Sequence, residues 1–154
     1  MTIASKLLLL IGLIGCVSTA LADTKEILII RGASTHQKFS HNNDEVGLLI
    51  KSKLEKSKYA DQFKVNTTLN YPEDLTLVEN ADLIIISSDG GSRHALANKE
   101  DLTKHTSHLD GVLKKNKTGL IVIHWATDAP SGGMGQLHPE NSNMMMDWIG
   151  AVYY

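Results

Sequence analysis

The stretch Leu83-Ile84-Ile85-Ile86-Ser87-Ser88-Asp89-Gly90-Gly91-Ser92-Arg93-His94 sets four consecutive branched aliphatic residues directly before an acid, two glycines, an arginine and a histidine. An apolar run without polar alternation marks a strand buried on both faces, the situation in a parallel sheet covered by helices. The polar segment falls where that strand ends. Taken alone, Asp89-Gly90-Gly91 reads as a turn, because glycine tolerates φ > 0 and an aspartate bonds its own backbone.

Outward from this stretch the same pattern recurs. Glu26–Gly32 (EILIIRG) is the first strand and Thr118–Trp125 (TGLIVIHW) the fourth, each a continuous apolar run. Phe63–Leu69 (FKVNTTL) alternates, which places it nearer an edge. Between the first two strands, Asn42 or Asn43 caps a helix with Asp44 and Glu45 in its first turn, lysines toward its end, and Val46, Leu49, Ile50 and Leu54 as its apolar stripe. Pro72, Glu73 and Asp74 open a short turn or helix. A second long helix is expected from about Asn98 to Lys115, with Leu102, His105, Leu109 and Leu113 or Val112 on one face. Ala129–Asn143 (APSGGMGQLHPENSN) reads as a long mobile loop. Strands alternating with amphipathic segments predict an α/β fold, a flavodoxin-like three-layer α/β/α arrangement with a parallel sheet of about four strands. Four strands are few for such a sheet, and the closing Met144–Tyr154 segment looks like the approach to a further strand, so the domain is expected to be incomplete.

The chain has 154 residues, 42% of them apolar and 21% charged, with a net charge of −2. That is ordinary for one domain and offers no general attraction to nucleic acid or an anionic membrane. The first residues stand apart: Met1–Lys6 is basic and Leu7–Val17 is an apolar core too short to span a bilayer comfortably. Residues 1–22 read as an export signal and 23–154 as the domain. Ala20-Leu21-Ala22 is an A-x-A site that releases a chain from Asp23, whereas Leu13-Ile14-Gly15-Cys16 resembles a lipobox that lipidates Cys16. The first route suits the mere three residues between Ala22 and the first strand, and predicts a periplasmic or secreted protein; the second predicts an outer-membrane lipoprotein. Cys16 is the only cysteine, so cleavage after Ala22 leaves no thiol for a disulfide, a metal or a nucleophile.

Ligands of open α/β sheets bind beyond the carboxyl ends of the strands. There the sequence collects His36 and His41 after strand one, Asp89, Gly90, Gly91, Arg93 and His94 after strand three, and His124 and Asp128 after strand four. Singly, each has a structural explanation; their convergence points to a site. Histidines and carboxylates from separate loops suit either a divalent metal held by N and O ligands or acid–base work on a hydroxylated substrate, with Arg93 holding a polar or charged group. His105, His108 and His138 receive no role. No P-loop, dinucleotide fingerprint, G-x-S-x-G elbow or H-E-x-x-H spacing is present.

The segments HNNDEVGLLIKSKL, SDGGSRH, GLIVIHWATDAP and MDWIG, in this order, resemble the trehalose-utilisation, or ThuA-like, family of the class I glutamine amidotransferase-like superfamily. The resemblance runs from Glu26 to the C-terminus and implies a carbohydrate substrate. Of the matching positions, His124, His94 and Asp89 become candidate catalytic groups, and Arg93, Gly90, Gly91, His36, His41 and Asp128 candidate substrate-binding ones. Amidotransferases of this fold carry a cysteine nucleophile on a sharp elbow where this sequence has His124, so their reaction is not implied. The resemblance also implies that the domain continues beyond Tyr154. Three readings follow: an exported enzyme of sugar conversion, a non-catalytic sugar- or partner-binding domain, and an inactive fragment of a longer protein.

Overall fold

The computed structural model describes residues 24–37, 40–97, 101–131 and 139–151. Residues 1–22, expected to be an export signal and including Cys16, and His138 lie outside them. Four strands, β1 (Lys25–Arg31), β2 (Phe63–Leu69), β3 (Leu83–Ser87) and β4 (Gly119–Ile123), form one parallel sheet in the order β2-β1-β3-β4. Helices α1 (Asn43–Glu55), α2 (Thr76–Glu79), α3 (Leu102–Asn116) and α4 (Pro139–Ile149) cover it. The strand order is that of a flavodoxin-like sheet, as expected.

Alternate residues of each strand feed two apolar layers. Leu28, Ile30, Ile84 and Ile86 meet Val78 of α2 and Leu109 and Val112 of α3, with Trp148 of α4 against them. On the other face Ile27, Ile29, Val65 and Ile85 meet Ile50 and Leu54 of α1. Both faces of β1 and β3 are thereby buried, which is why their sequences show no alternation.

Helix α1 departs from its expected stripe. Asn43 and Gly47 turn toward the sheet beside Ile50 and Leu54, leaving Val46 at 38% and Leu49 at 56% exposure. The cause is Arg31 at the end of β1. Its guanidinium pairs with Asp44 and donates from Nε to Thr67 Oγ1 at 2.7 Å, so its aliphatic stem lies under α1. A Cβ on Gly47 would stand 2.4 Å from Arg31 Cγ, and only glycine lets the helix come this close. Asn42 holds the N-cap position, yet its side chain donates to Glu45 Oε2 at 2.6 Å instead of capping the backbone.

Strand β4 also departs from expectation. It is apolar throughout but sits at the edge of the described sheet, and Ile121 is 47% exposed. The expected loop over 129–143 ends early, because α4 starts at Pro139, whose fixed φ suits the first helical turn. Asn141 and Ser142 are buried there, and Asn141 Nδ2 donates to the Pro130 carbonyl at 2.8 Å. No helix among the described residues is long and apolar enough to cross a membrane.

Candidate functional site

The chain runs from β1 outward to β2 on one side of the sheet and from β3 outward to β4 on the other. This reversal leaves a crevice above the carboxyl ends of β1 and β3. A cavity of about 380 Å³ lies there, lined by His36 and His41 from the β1 loop, Asp89–Arg93 from the β3 loop, and Trp125, Asp128 and Ser131 from the β4 loop.

Asp89 is the hub. It is 4% exposed, and its carboxylate accepts from the Thr35 hydroxyl and, at 3.0 Å, from the Asn43 side-chain amide. His36 Nδ1 lies 3.2 Å from its Oδ2 and His41 Nδ1 3.7 Å from its Oδ1. The rings of His36 and His41 stand 4.4 Å apart. Asn43 is fixed in turn by its place in α1 and by Ser87 Oγ, which donates to its carbonyl at 3.0 Å. The Arg31–Asp44 pair anchors the first turn of α1 to the end of β1. The buried hub is thus assembled from β1, α1 and β3 together. Arg93 is exposed at the rim, its Nη1 3.4 Å from His36 Nε2.

Two glycines shape the β3 loop. Gly90 is extended, but a Cβ there would lie 2.3 Å from Asp128 Cβ, so the β3 and β4 loops approach as closely as glycine allows. Gly91 has φ 57°, the left-handed region that glycine enters at no steric cost. Burial of Asp128 between these loops raises its carboxyl pKa above the usual carboxylate range, since desolvation disfavours the charged form.

His124 and His94 do not line the cavity. His124 follows β4 directly with φ 57° and is exposed, its ring 5.3 Å from His41 and 5.7 Å from Trp125. The strand therefore ends in a sharp, left-handed elbow at His124. His94, expected to act beside His124, is turned inward and 3% exposed. Its Nε2 meets the Ala126 carbonyl at 3.1 Å, and its Nδ1 accepts from the Leu96 N–H at 3.1 Å. This pattern assigns the proton to Nε2, and desolvation pushes the pKa down to about 4. A neutral ring with both nitrogens spent on backbone staples the β3 loop to the β4 loop.

Thr35, Asn43 and Trp125 complete the site without having been singled out from the sequence. Trp125 adjoins His124 and had a local signal. Asn43 did not, because an asparagine at a helix start reads as a cap. His105 and His108 lie elsewhere: His105 stacks on Tyr71 with 4.5 Å between rings, and Tyr71 Oη and His108 Nδ1 are 2.7 Å apart.

No protein-family model matches the chain, nor does any curated protein or solved structure. Fold and site together define an open parallel α/β domain with a polar cavity at its topological switch point.

Proposed function

We propose that the chain is an exported ThuA-like domain whose cavity takes a carbohydrate or an oxidised sugar derivative, without glutamine amidotransferase activity. The observation that supports this best is the meeting of Arg93, Asp128, Trp125 and the histidines around Asp89 in one cavity. A sugar ring presents hydroxyls in several directions and an apolar face, and this lining offers charged donors, carboxylate acceptors and an indole side by side. Asp128, which burial keeps protonated to higher pH, suits the acid. His124 stands outside the cavity lining, but its exposed imidazole is 5.3 Å from the ring of His41 and 5.7 Å from that of Trp125, both of which line it, and it suits the base at the cavity's border. Arg93 anchors a hydroxyl or carboxylate through its fork of N–H groups. His94 positions the two loops. The residue on the elbow is an imidazole, so a thiol-based amidotransfer has no nucleophile here. The basic start, the apolar core and the Ala20-Leu21-Ala22 site support export.

A non-catalytic sugar-binding domain is the second reading, favoured by the full engagement of Asp89 with its neighbours. Calorimetric titration of the full chain with neutral hexoses, disaccharides and uronic acids, followed by chromatography for products, tests both. The expected result is binding of one sugar class that weakens at least about tenfold in Arg93→Ala, with turnover lost in His124→Ala. Binding without turnover favours the second reading, and absence of binding to every class overturns both.

A further inference from the structure

We propose that His36, His41 and Asp89 hold a divalent transition-metal ion of the zinc class. One ligand atom from each residue falls within 4.8 Å of the other two. More telling are the individual separations, 3.2 Å from His36 Nδ1 to Asp89 Oδ2 and 3.7 Å from His41 Nδ1 to Asp89 Oδ1. Ligands at about 2.1 Å from a tetrahedral zinc stand about 3.4 Å from one another. The two separations run to different oxygens of Asp89, so each histidine has a carboxylate oxygen near that spacing while the three-residue set as a whole closes within 4.8 Å.

His41 supplies the second observation. Among the described residues its buried Nδ1 has no hydrogen-bond partner, although buried polar atoms are nearly always satisfied. At 3.7 Å the Asp89 oxygen is too far for a hydrogen bond and at a suitable distance for a second ligand of a shared cation. Backbone at His41 is left-handed, φ 54°, an uncommon conformation that fixes its ring at this place.

The surroundings of Asp89 follow the pattern of a ligating carboxylate. Metal-bound carboxylates are themselves oriented by hydrogen bonds, and here the Thr35 hydroxyl and the Asn43 amide donate to Asp89, the Thr35 oxygen also lying 3.1 Å from His36 Nδ1. Two imidazoles and one carboxylate select borderline ions such as zinc or cobalt over magnesium and calcium, which prefer oxygen alone. Three protein ligands leave a coordination position facing the cavity for water or a substrate oxygen. Ligation through His36 Nδ1 leaves the proton on Nε2, so the 3.4 Å contact with Arg93 Nη1 is released and the guanidinium is freed toward the ligand.

The inference deepens the ligand-site reading, since it shares that cavity, but it stands on ligand geometry alone. The full chain, stripped with chelator, is titrated with Co²⁺ and Zn²⁺ and followed by cobalt absorption and calorimetry, in the absence and presence of sugar. The expected result is one ion per chain with the intense visible bands of a low-coordinate cobalt site. His36→Ala, at an exposed position, and His41→Ala each weaken affinity at least about a hundredfold, more than loss of an outer partner does. Absence of a stoichiometric ion overturns the proposal, and so does unchanged affinity in both folded variants, which places the ion elsewhere. Metal binding with no sugar binding leaves the metal site standing and removes the carbohydrate reading; sugar binding with no metal does the reverse.

Discussion

The imidazoles of His41 and His124 face each other edge to plane at 5.3 Å, and both residues hold left-handed backbone, with φ 54° and 57°. The loops after β1 and β4 thus reach across the end of β3, and each carries its histidine on a conformation that ordinary residues avoid. Left-handed backbone costs a non-glycine residue roughly 1–2 kcal/mol, and histidine tolerates it better than a β-branched residue does. Such costs concentrate at functional sites, where surrounding contacts hold the strained residue in place.

Substitutions at position 124 separate backbone from side chain. His124→Gly is expected to match or exceed the wild-type stability while losing ligand binding, and His124→Val to lose about 1–2 kcal/mol or more. Urea denaturation of both variants checks this. Equal stabilities for glycine and valine would refute the left-handed elbow.

His94 makes stability depend on pH. Its pKa is about 4 in the folded protein against 6.5 in a free chain, so between these values the unfolded state binds the extra proton. Stability therefore falls as pH drops from about 6.5 to about 4 and loses no more to this group below that. A shift of this size corresponds to roughly 3 kcal/mol. His94→Gln is expected to flatten this part of the profile, measured as urea midpoints between pH 4 and 7. An unchanged slope would show that the ring is not buried between the loops.

Much of the fold was legible because β1 and β3 are buried on both faces and announce themselves as unbroken aliphatic runs. Of the residues that the carboxyl-end rule gathered, His36, His41, Asp89, Arg93 and Asp128 line one cavity, whereas His94 and His124 do not. What escaped depended on partners distant in sequence. Gly47 faces the sheet because Arg31 lies beneath it, so the apolar spacing of Val46 and Leu49 pointed to the wrong stripe. Asn43 looked like a cap, but its amide serves Asp89, 46 residues away. His94 looked like its polar neighbours until its two backbone partners were seen.

Gly90 tests the closeness of the β3 and β4 loops. Its backbone, φ −93° and ψ −177°, is open to any residue, so Gly90→Ala introduces no torsional strain. The new methyl would instead lie 2.3 Å from Asp128 Cβ, an atom that side-chain rotation cannot move away. The loops must separate, at a cost of about 1–3 kcal/mol for overpacking of this kind. Asp128→Gly in the same chain removes the obstructing atom and is expected to restore most of that loss, a non-additivity that a double-mutant cycle in urea measures. Additive losses would mean that the two loops do not touch at this point.

Asp128 sets function against stability. Its folded pKa is raised by desolvation, so its contribution is complete below the unfolded carboxyl pKa and is lost as pH rises through the folded value. At neutral pH the protein carries a partly buried charge that a neutral isostere does not. Asp128→Asn is therefore expected to be more stable than wild type at pH 7, with the difference shrinking toward pH 3, where both side chains are uncharged. Urea unfolding at the two pH values reads this directly. If the carboxyl is the acid of the reaction, the same variant loses turnover, since an amide has no proton to give. A gain in stability joined to a loss of function would mark Asp128 as a residue kept for its chemistry. A variant less stable at pH 7 would show that the carboxylate is held by favourable contacts, and would remove it from the acid role.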